Sequence, residues 1–184
     1  MNRGQGPRRV FLLGFMGAGK TTVGQLLAAR LGLPFVDLDA EIERVAGRTV
    51  PEIFATEGEA GFRRREAVAL RAAVDLPKVV VATGGGTVEL AENRALLRET
   101  GVSVWLDVPF ALLLARLGEE ARRVRPLFAD EAAARALWQR RRRLYGAAEI
   151  VLAVSPEAAP DDVAETLYDQ LMHGRHGREG RCAI

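Results

Sequence analysis

A chain of 184 residues, of which 48% are hydrophobic and 27% are charged, has enough apolar side chains for one compact domain with a sizeable core. Its formal net charge of +2 excludes a strongly acidic or basic protein, and its single cysteine, Cys182, excludes a disulfide framework and favours a cytoplasmic protein. No apolar run approaches the roughly 18 residues of a membrane span, so we expect no membrane partner.

The two ends of the chain differ in composition from the region between them. Residues 1–8 are basic and contain glycine, and residues 174–184 combine glycine with charged side chains. We expect two disordered tails, because such segments bury too little apolar surface to become ordered. The intervening residues 9–173 are predicted to form a single domain.

Five short apolar runs follow one another along this domain, at residues 10–14, 34–37, 79–83, 102–107 and 149–154. Runs of this kind, bounded by turn signals, are typical of strands that are buried on both faces of a parallel sheet. Helical patterns lie between them, including residues 20–32 and 59–74. This alternation predicts an α/β protein with a doubly wound, five-stranded parallel sheet.

The first apolar run is followed directly by GFMGAGKT, residues 14–21, which matches the pattern G-x-x-x-x-G-K-T between a strand and a helix. Backbone N–H groups of such a loop surround phosphates, and the helix N-terminus adds its dipole. We expect Lys20 to reach the β- and γ-phosphates and the Thr21 hydroxyl to bind Mg²⁺. A chance glycine turn is the alternative, but the position between strand and helix favours a nucleoside triphosphate site.

The second apolar run ends in FVDLD, where two carboxylates stand one residue apart. Because a Mg²⁺–triphosphate site needs an acid near the carboxyl ends of the strands, we assign Asp37 to the metal or its waters. Side chains alternate along a strand, so Asp39 is predicted to face the same cleft and Leu38 to point into apolar packing. We interpret Asp39 as the acceptor of a proton from a substrate hydroxyl; capping of the next helix is the alternative.

Two further segments are predicted to line this cleft. GFRRRE places Arg63 beside Phe62, which we expect to be buried, and Glu66 lies three residues on, where it can orient the guanidinium. A solvated basic face is the alternative for these arginines. TGGGT, residues 83–87, follows the third run, and its glycines are predicted to bring main-chain N–H groups close to a ligand, with a flexible turn as the alternative.

Five motifs, in this order and spacing, resemble those of the shikimate kinases over residues 10–171: GFMGAGKTTVGQLLAARLGLPFVDLDAEIE, IFATEGEAGFRRRE, TGGGTV, RPLF and RRRLY. The resemblance implies a P-loop kinase architecture of the nucleoside monophosphate kinase type, with a substrate-binding segment at 37–66 and a mobile lid at 118–127. It also implies ATP as co-substrate, Mg²⁺ as cofactor, and phosphorylation of the 3-hydroxyl of shikimate to shikimate 3-phosphate, a step toward aromatic amino acids.

The resemblance implies roles for individual residues as well. It makes Asp39 the catalytic base and Asp37, with Thr21, the metal site, while Lys20 and Arg125 contact the phosphates during transfer. The implied nucleotide-binding residues are Gly17, Ala18, Gly19, Lys20, Thr21, Thr22, Arg116 and Arg125. The implied substrate-binding residues are Asp39, Arg63, Gly84, Gly85, Gly86 and Arg141.

Two segments depart from the family pattern, in addition to Leu38, where a small polar residue is more common. The loop at residues 154–162 lacks the arginine that is often found beside the adenine, so the nucleotide base preference stays open. The run of four arginines at residues 140–143 makes the carboxylate-binding arginine ambiguous by one position, and alignment to Leu144 and Tyr145 favours Arg141 over Arg140 and Arg142.

Two other classes of function compete with this interpretation. Another small-molecule kinase, for gluconate or a nucleoside monophosphate, would share the architecture, but a phosphate acceptor needs no base and would be repelled by Asp39. A nucleotide-dependent switch would have no use for the acid pair, and the chain lacks an N-K-x-D segment. With 6% aromatic residues we expect no nucleic-acid partner. We expect a monomer that acts on a small molecule.

Overall fold

The structure is a computed structural model that describes residues 7–116, 130–174 and 181–183. Its strands are β1 (Arg9–Leu13), β2 (Phe35–Asp37), β3 (Val79–Ala82), β4 (Val102–Asp107), β5 (Ile150–Ala153) and β6 (Arg181–Ala183). All pairings between them are parallel, and their order across the sheet is β2-β3-β1-β4-β5-β6. The first five strands confirm the predicted parallel sheet, with boundaries within one residue of the predicted runs.

The helices alternate with these strands, which confirms the α/β class. They are α1 (Lys20–Leu31), α2 (Leu38–Ala46), α3 (Val50–Asp75), α4 (Ala91–Thr100), α5 (residues 110–116), α6 (Glu131–Tyr145) and α7 (Pro160–His173). A 3₁₀ turn, Thr87–Glu89, follows the TGGG segment. In the described part of the chain, no helix is long and apolar enough to cross a membrane.

The central strand β1 fixes the arrangement of the site. It pairs with β3 at one edge and β4 at the other, and Val10, Phe11 and Leu12, whose side chains point alternately to the two faces of the sheet, are all fully buried. Asp37 at the end of β2 is in register with Ala82 at the end of β3, which is in register with Leu12. The segments that follow these three strands therefore emerge at one edge of the sheet.

A sixth strand, β6, extends the sheet beyond the five predicted strands. It lies within residues 174–184, which were expected to form a disordered tail. Its backbone pairs in register with β5, from Val151 with Arg181 to Ala153 with Ala183. An edge strand presents unpaired N–H and C=O groups that any extended segment can fill, so pairing requires no apolar pattern of its own. The sequence pattern therefore did not predict this three-residue strand, which lies among glycines and charged residues.

Helix α3 contains a kink that re-aims its second half. Gly58 has φ +67° and ψ −177° inside the helix, a conformation that side-chain-bearing residues rarely adopt. Phe54 and Phe62 stack across the kink with ring centroids 4.7 Å apart. The half of α3 after the kink carries Arg63 and Glu66 toward the carboxyl edge of the sheet.

Candidate active site

The loop between β1 and α1 has the predicted phosphate-binding form. Gly17 and Gly19 have φ +80° and +88°, which lets the loop curl without steric strain. The Lys20 Nζ donates hydrogen bonds to the main-chain oxygens of Gly14, at 2.8 Å, and Phe15, at 3.0 Å. The ammonium group is thereby held over the loop whose N–H groups would surround the phosphates.

Asp37 links this loop to strand β2. The Thr21 Oγ1 donates a hydrogen bond of 2.6 Å to Asp37 Oδ2, while Asp37 Oδ1 accepts from the backbone N–H groups of Asp39 and Ala40 and so caps α2. Within the described ranges no cluster of three or more His, Cys, Asp or Glu side chains could hold a metal. One carboxylate and one hydroxyl beside a triphosphate suit Mg²⁺, which keeps several waters and binds substrate phosphates.

The route by which Asp39 reaches the cleft differs from the prediction. Strand β2 ends at Asp37 and α2 begins at Leu38, so the alternation of a strand does not extend to Asp39, and the cap of α2 is Asp37. The prediction carried the side-chain alternation of the strand on to Asp39, two residues beyond the end of the apolar run, whereas the Asp37 cap starts a helix at that point. Leu38 is fully buried, as predicted.

Asp39 nonetheless lies beside the phosphate loop, although the residue as a whole is exposed. Desolvation of its carboxyl by the surrounding protein raises the pKa of Asp39 to about 6, the positive charge of Lys20 opposes this rise, and the negative charges of Asp37 and Glu66 add to it. Its Oδ1 lies against the TGGG segment, because a Cβ on Gly84 would be 3.1 Å from it. At neutral pH the carboxylate is mostly ionised and can accept a proton.

Arg63 is held by a buried glutamate, and the predicted contact is present. The Arg63 Nη1 donates to Glu66 Oε2 at 2.7 Å, and the Thr87 hydroxyl donates to Glu66 Oε1 at 2.6 Å. Glu66 is fully buried and Phe62 nearly so. Both oxygens of the glutamate are thus occupied, which fixes the direction in which the guanidinium points.

None of the three glycines of TGGG has a positive φ, and Gly84 and Gly86 are needed for space rather than for an unusual backbone conformation. A Cβ on Gly86 would lie 2.5 Å from the Arg63 Cζ, and a Cβ on Gly84 would overlap Glu66 Oε1. At Gly85 the nearest atoms would be 3.5 Å away, an ordinary contact. The segment lets two side chains approach its backbone closely.

Among the arginines of α6, Arg141 faces the interior. Arg141 is buried, whereas the side chains of Arg140 and Arg142 are 66% and 49% exposed. Arg142 makes a bidentate ion pair with Asp107 at the end of β4. The Arg141 Nε is buried without a hydrogen-bond partner among the described residues. Arg63 and Arg141 are called the arginine fork from here on.

Glu89, which sequence reasoning missed, joins the two arms of this fork. Its Oε2 accepts from Arg141 Nη2 at 3.0 Å and from Arg63 Nη2 at 3.3 Å, and its Oε1 accepts from Arg140. Burial opposes ionisation, but the hydrogen bonds and charges of Arg141 and the other arginines hold the pKa of Glu89 below its usual value. No local pattern could reveal it, because its partners lie 26 and 52 residues away along the chain.

Tyr145 was also missed as a site residue, although it belongs to the RRRLY motif. Its hydroxyl donates a hydrogen bond to the main-chain oxygen of Gly85. The ring is buried, 5.9 Å from that of Trp105. Burial raises the pKa of Tyr145 above its usual value, so the hydroxyl remains a donor throughout the neutral range. Tyr145 therefore anchors the TGGG segment to α6.

A cavity of about 290 Å³ opens beside the phosphate loop. It is lined by Gly17, Ala18, Gly19, Thr22, Val23, Arg116, Val154, Ala158, Pro160 and Val163. Five of the eight predicted nucleotide residues, Gly17, Ala18, Gly19, Thr22 and Arg116, line this cavity, and its apolar wall suits the flat face of a base. Arg125 and the lid at 118–127 lie outside the described residues.

A phosphate loop on a parallel sheet, an acid pair and buried arginines at one edge define a P-loop kinase. The fold agrees with this class: an APS kinase from Mycobacterium tuberculosis superposes with a TM-score of 0.58 over 93% of this chain and 99% of its own, at 20% identity, which bears on the fold alone.

Closer comparisons give the particular family. Residues 16–172 match the family described as shikimate kinase. A shikimate kinase of Synechococcus elongatus is 47% identical over 163 residues, which are 87% of this chain and 84% of that protein. A structure of shikimate kinase from Acinetobacter baumannii in complex with shikimate is 40% identical, with a TM-score of 0.84 over 90% of this chain and 93% of its own. The chain belongs to the shikimate kinase family, as predicted, and membership implies ATP as co-substrate.

Proposed function

We propose that this protein transfers the γ-phosphoryl group of ATP to the 3-hydroxyl of shikimate, with Asp39 as base and the arginine fork as receptor of the carboxylate. One observation carries the proposal: Asp39, Arg63 and Arg141 all approach the same three glycines, with Lys20 close enough to shift the pKa of Asp39. An acid for a hydroxyl and cations for a carboxylate thus stand beside the phosphate loop. The shikimate bound by the similar enzyme of A. baumannii supports the same substrate here.

Phosphoryl transfer then follows from positioning and charge compensation. The hydroxyl oxygen of shikimate forms a bond to the γ-phosphorus while its proton passes to Asp39. The bond between the γ-phosphorus and the ADP oxygen breaks, and ADP leaves. Lys20 compensates the charge that develops on the phosphate oxygens, and Arg125 is proposed to do the same from the lid. The fork fixes the ring of the substrate so that one hydroxyl faces the phosphate.

Mg²⁺ is proposed to bind at Thr21 and Asp37, whose oxygens lie 2.6 Å apart. When bound, the ion would neutralise charge on the phosphates. The test is direct: EDTA should abolish turnover, and Mg²⁺ should restore it. Thr21→Val should raise the Mg²⁺ concentration needed for half-maximal rate, because the valine is similar in shape but carries no oxygen. An unchanged Mg²⁺ requirement would count against this site.

The reaction itself is tested by coupling ADP release to a spectrophotometric signal with shikimate, gluconate and nucleoside monophosphates as acceptors. We expect turnover with shikimate, and a ³¹P spectrum that assigns the new phosphate to the 3-oxygen. Turnover with gluconate or a nucleoside monophosphate alone would overturn the proposal.

We further propose that the protein acts as a monomer in the cytoplasm. The groups of the candidate site all come from one chain, so no second copy is needed to complete it. A single cysteine in the chain accords with a reducing compartment. Light scattering coupled to gel filtration, at the concentrations of the activity assay, should give the mass of one chain.

A further inference from the structure

Glu89 lies between the two arms of the arginine fork, and neither the proposed mechanism nor the family resemblance gives it a role. We infer that Glu89 determines the selectivity of the fork: it cancels the surplus positive charge, so that the fork binds a monocarboxylate and rejects a dianion such as phosphate. The inference rests on the proposed function, in which the fork receives the carboxylate of the substrate. It makes Glu89 a specificity-determining residue that acts through Arg63 and Arg141.

The charges at the fork are balanced before any ligand arrives. The side chains of Arg63 and Arg141 are 13% and 7% exposed, and two carboxylates with little exposure, Glu66 and Glu89, contact them. Two positive charges therefore meet two negative ones. Arg140 and Glu59 also contact this group, but they have opposite charges and are largely exposed, so they cancel and are screened by solvent.

A ligand is then held by directed hydrogen bonds rather than by net charge. The buried Arg141 Nε, which has no partner among the described residues, is such a donor. A monocarboxylate can accept a hydrogen bond from this Nε, and its single negative charge is repelled by Glu89. A phosphate or phosphomonoester, with close to two charges at neutral pH, uses the same donors but meets about twice the repulsion. In a buried site this difference is weakly screened and becomes large.

The 3₁₀ turn holds Glu89 in this position. The Arg94 Nη1 donates to the main-chain oxygens of Val88, at 2.6 Å, and of Glu89, at 3.0 Å. The Asn93 Nδ2 donates to the main-chain oxygen of Thr87 at 3.0 Å. These hydrogen bonds hold the main chain of the 3₁₀ turn in place. The Glu89 carboxylate also accepts hydrogen bonds from three arginines, so Glu89 remains beside the fork.

The test compares the Michaelis constant for shikimate with the inhibition constant of inorganic phosphate against shikimate, at saturating ATP so that the phosphate loop is filled. Glu89→Gln keeps the shape of the side chain and removes its charge. In this variant the inhibition constant of phosphate should fall about tenfold, while the Michaelis constant for shikimate and kcat should change much less. Glu89→Ala should act in the same direction. Glu89→Asp keeps the charge and should keep the wild-type selectivity.

Glu59→Gln is the matched control, because it removes the same charge from a carboxylate that also contacts Arg63 but is 65% exposed. Its selectivity should equal that of the wild type. The inference would be overturned if the ratio of the phosphate inhibition constant to the shikimate Michaelis constant were unchanged in both Glu89→Gln and Glu89→Ala. A raised shikimate constant without stronger phosphate inhibition would do so too, because it would indicate a purely structural role.

Failure of the proposed function would look different from failure of this inference. A wild-type protein that does not phosphorylate shikimate refutes the function. Calorimetric titration of phosphate into wild type and Glu89→Gln, with a non-hydrolysable ATP analogue bound, measures the effect of the fork charge without catalysis. Tighter phosphate binding by the variant supports the inference, and equal binding refutes it.

Discussion

The nucleotide side and the acid side of the site are built in different ways. The phosphate loop is one contiguous stretch, residues 14–21, whose shape depends on the backbone dihedral angles of its glycines. Its backbone N–H groups are the donors expected to bind the phosphates. The arginine fork combines side chains from α3 and α6, held by Glu66 on α3 and by Glu89 in the 3₁₀ turn. In the proposed function, a local motif therefore positions ATP, whereas long-range contacts select the acceptor. Substitutions on the two sides should have separable kinetic effects.

The largest effect is expected at Asp39, on the acid side. Asp39→Asn removes the proton acceptor and should lower kcat by about 10²- to 10⁴-fold. ATP affinity should stay nearly unchanged, because the phosphate loop does not depend on this carboxylate. Steady-state kinetics and a fluorescent ATP-analogue titration would measure both quantities, and a variant as fast as the wild type would refute the role of Asp39.

The matching change on the nucleotide side is Lys20→Ala. Loss of the ammonium group that is held over the phosphate loop should lower kcat/KM for ATP by about 10²- to 10³-fold. In contrast to Asp39→Asn, ATP affinity should fall as well. Binding of shikimate alone, followed by calorimetry, should be preserved. If Lys20→Ala lowered the affinity for shikimate as much as the affinity for ATP, the separation of the two sides would be contradicted.

Gly86→Ala should affect the arginine fork rather than the phosphate loop. The new Cβ would lie 2.5 Å from the Arg63 Cζ, and the flexible guanidinium would move away and lose its bond to Glu66. The free energy of unfolding should fall, because the fully buried Glu66 loses its charged partner, and the shikimate KM should rise, up to about 10²-fold, because the fork is misplaced. Gly85→Ala meets nothing closer than 3.5 Å and should have a smaller effect. A larger effect of Gly85→Ala would refute this account.

The smallest effect is expected for Tyr145→Phe, which leaves the Gly85 oxygen without its hydrogen bond from the ring. We expect a loss of about 1 kcal/mol in the free energy of unfolding, measured with urea. The control is Tyr168→Phe, since the Tyr168 hydroxyl makes no side-chain hydrogen bond in the part of the chain that the structure describes. Equal losses in the two variants would show that the bond to Gly85 contributes nothing.

The contrast between the two sides also explains which predictions succeeded. The strands, the phosphate loop and the pair of Arg63 with Glu66 depend on residues that are close in sequence, so spacing was sufficient to find them. The start of α2 at Leu38 was missed because a cap within an apolar run overrides the strand pattern. Glu89 was missed because its environment consists of residues from two other elements.

The amino-acid sequence by itself determined the first five strands and the helices between them in chain order, the phosphate loop and the membership of the shikimate kinase family. These features follow from apolar periodicity and short motifs, which are local properties of a chain. The tertiary structure buries Arg141, which the alignment to Leu144 and Tyr145 had favoured, and only the tertiary structure shows that Glu89 balances the fork. Burial and charge balance depend on which distant segments pack together, and no single segment contains that information.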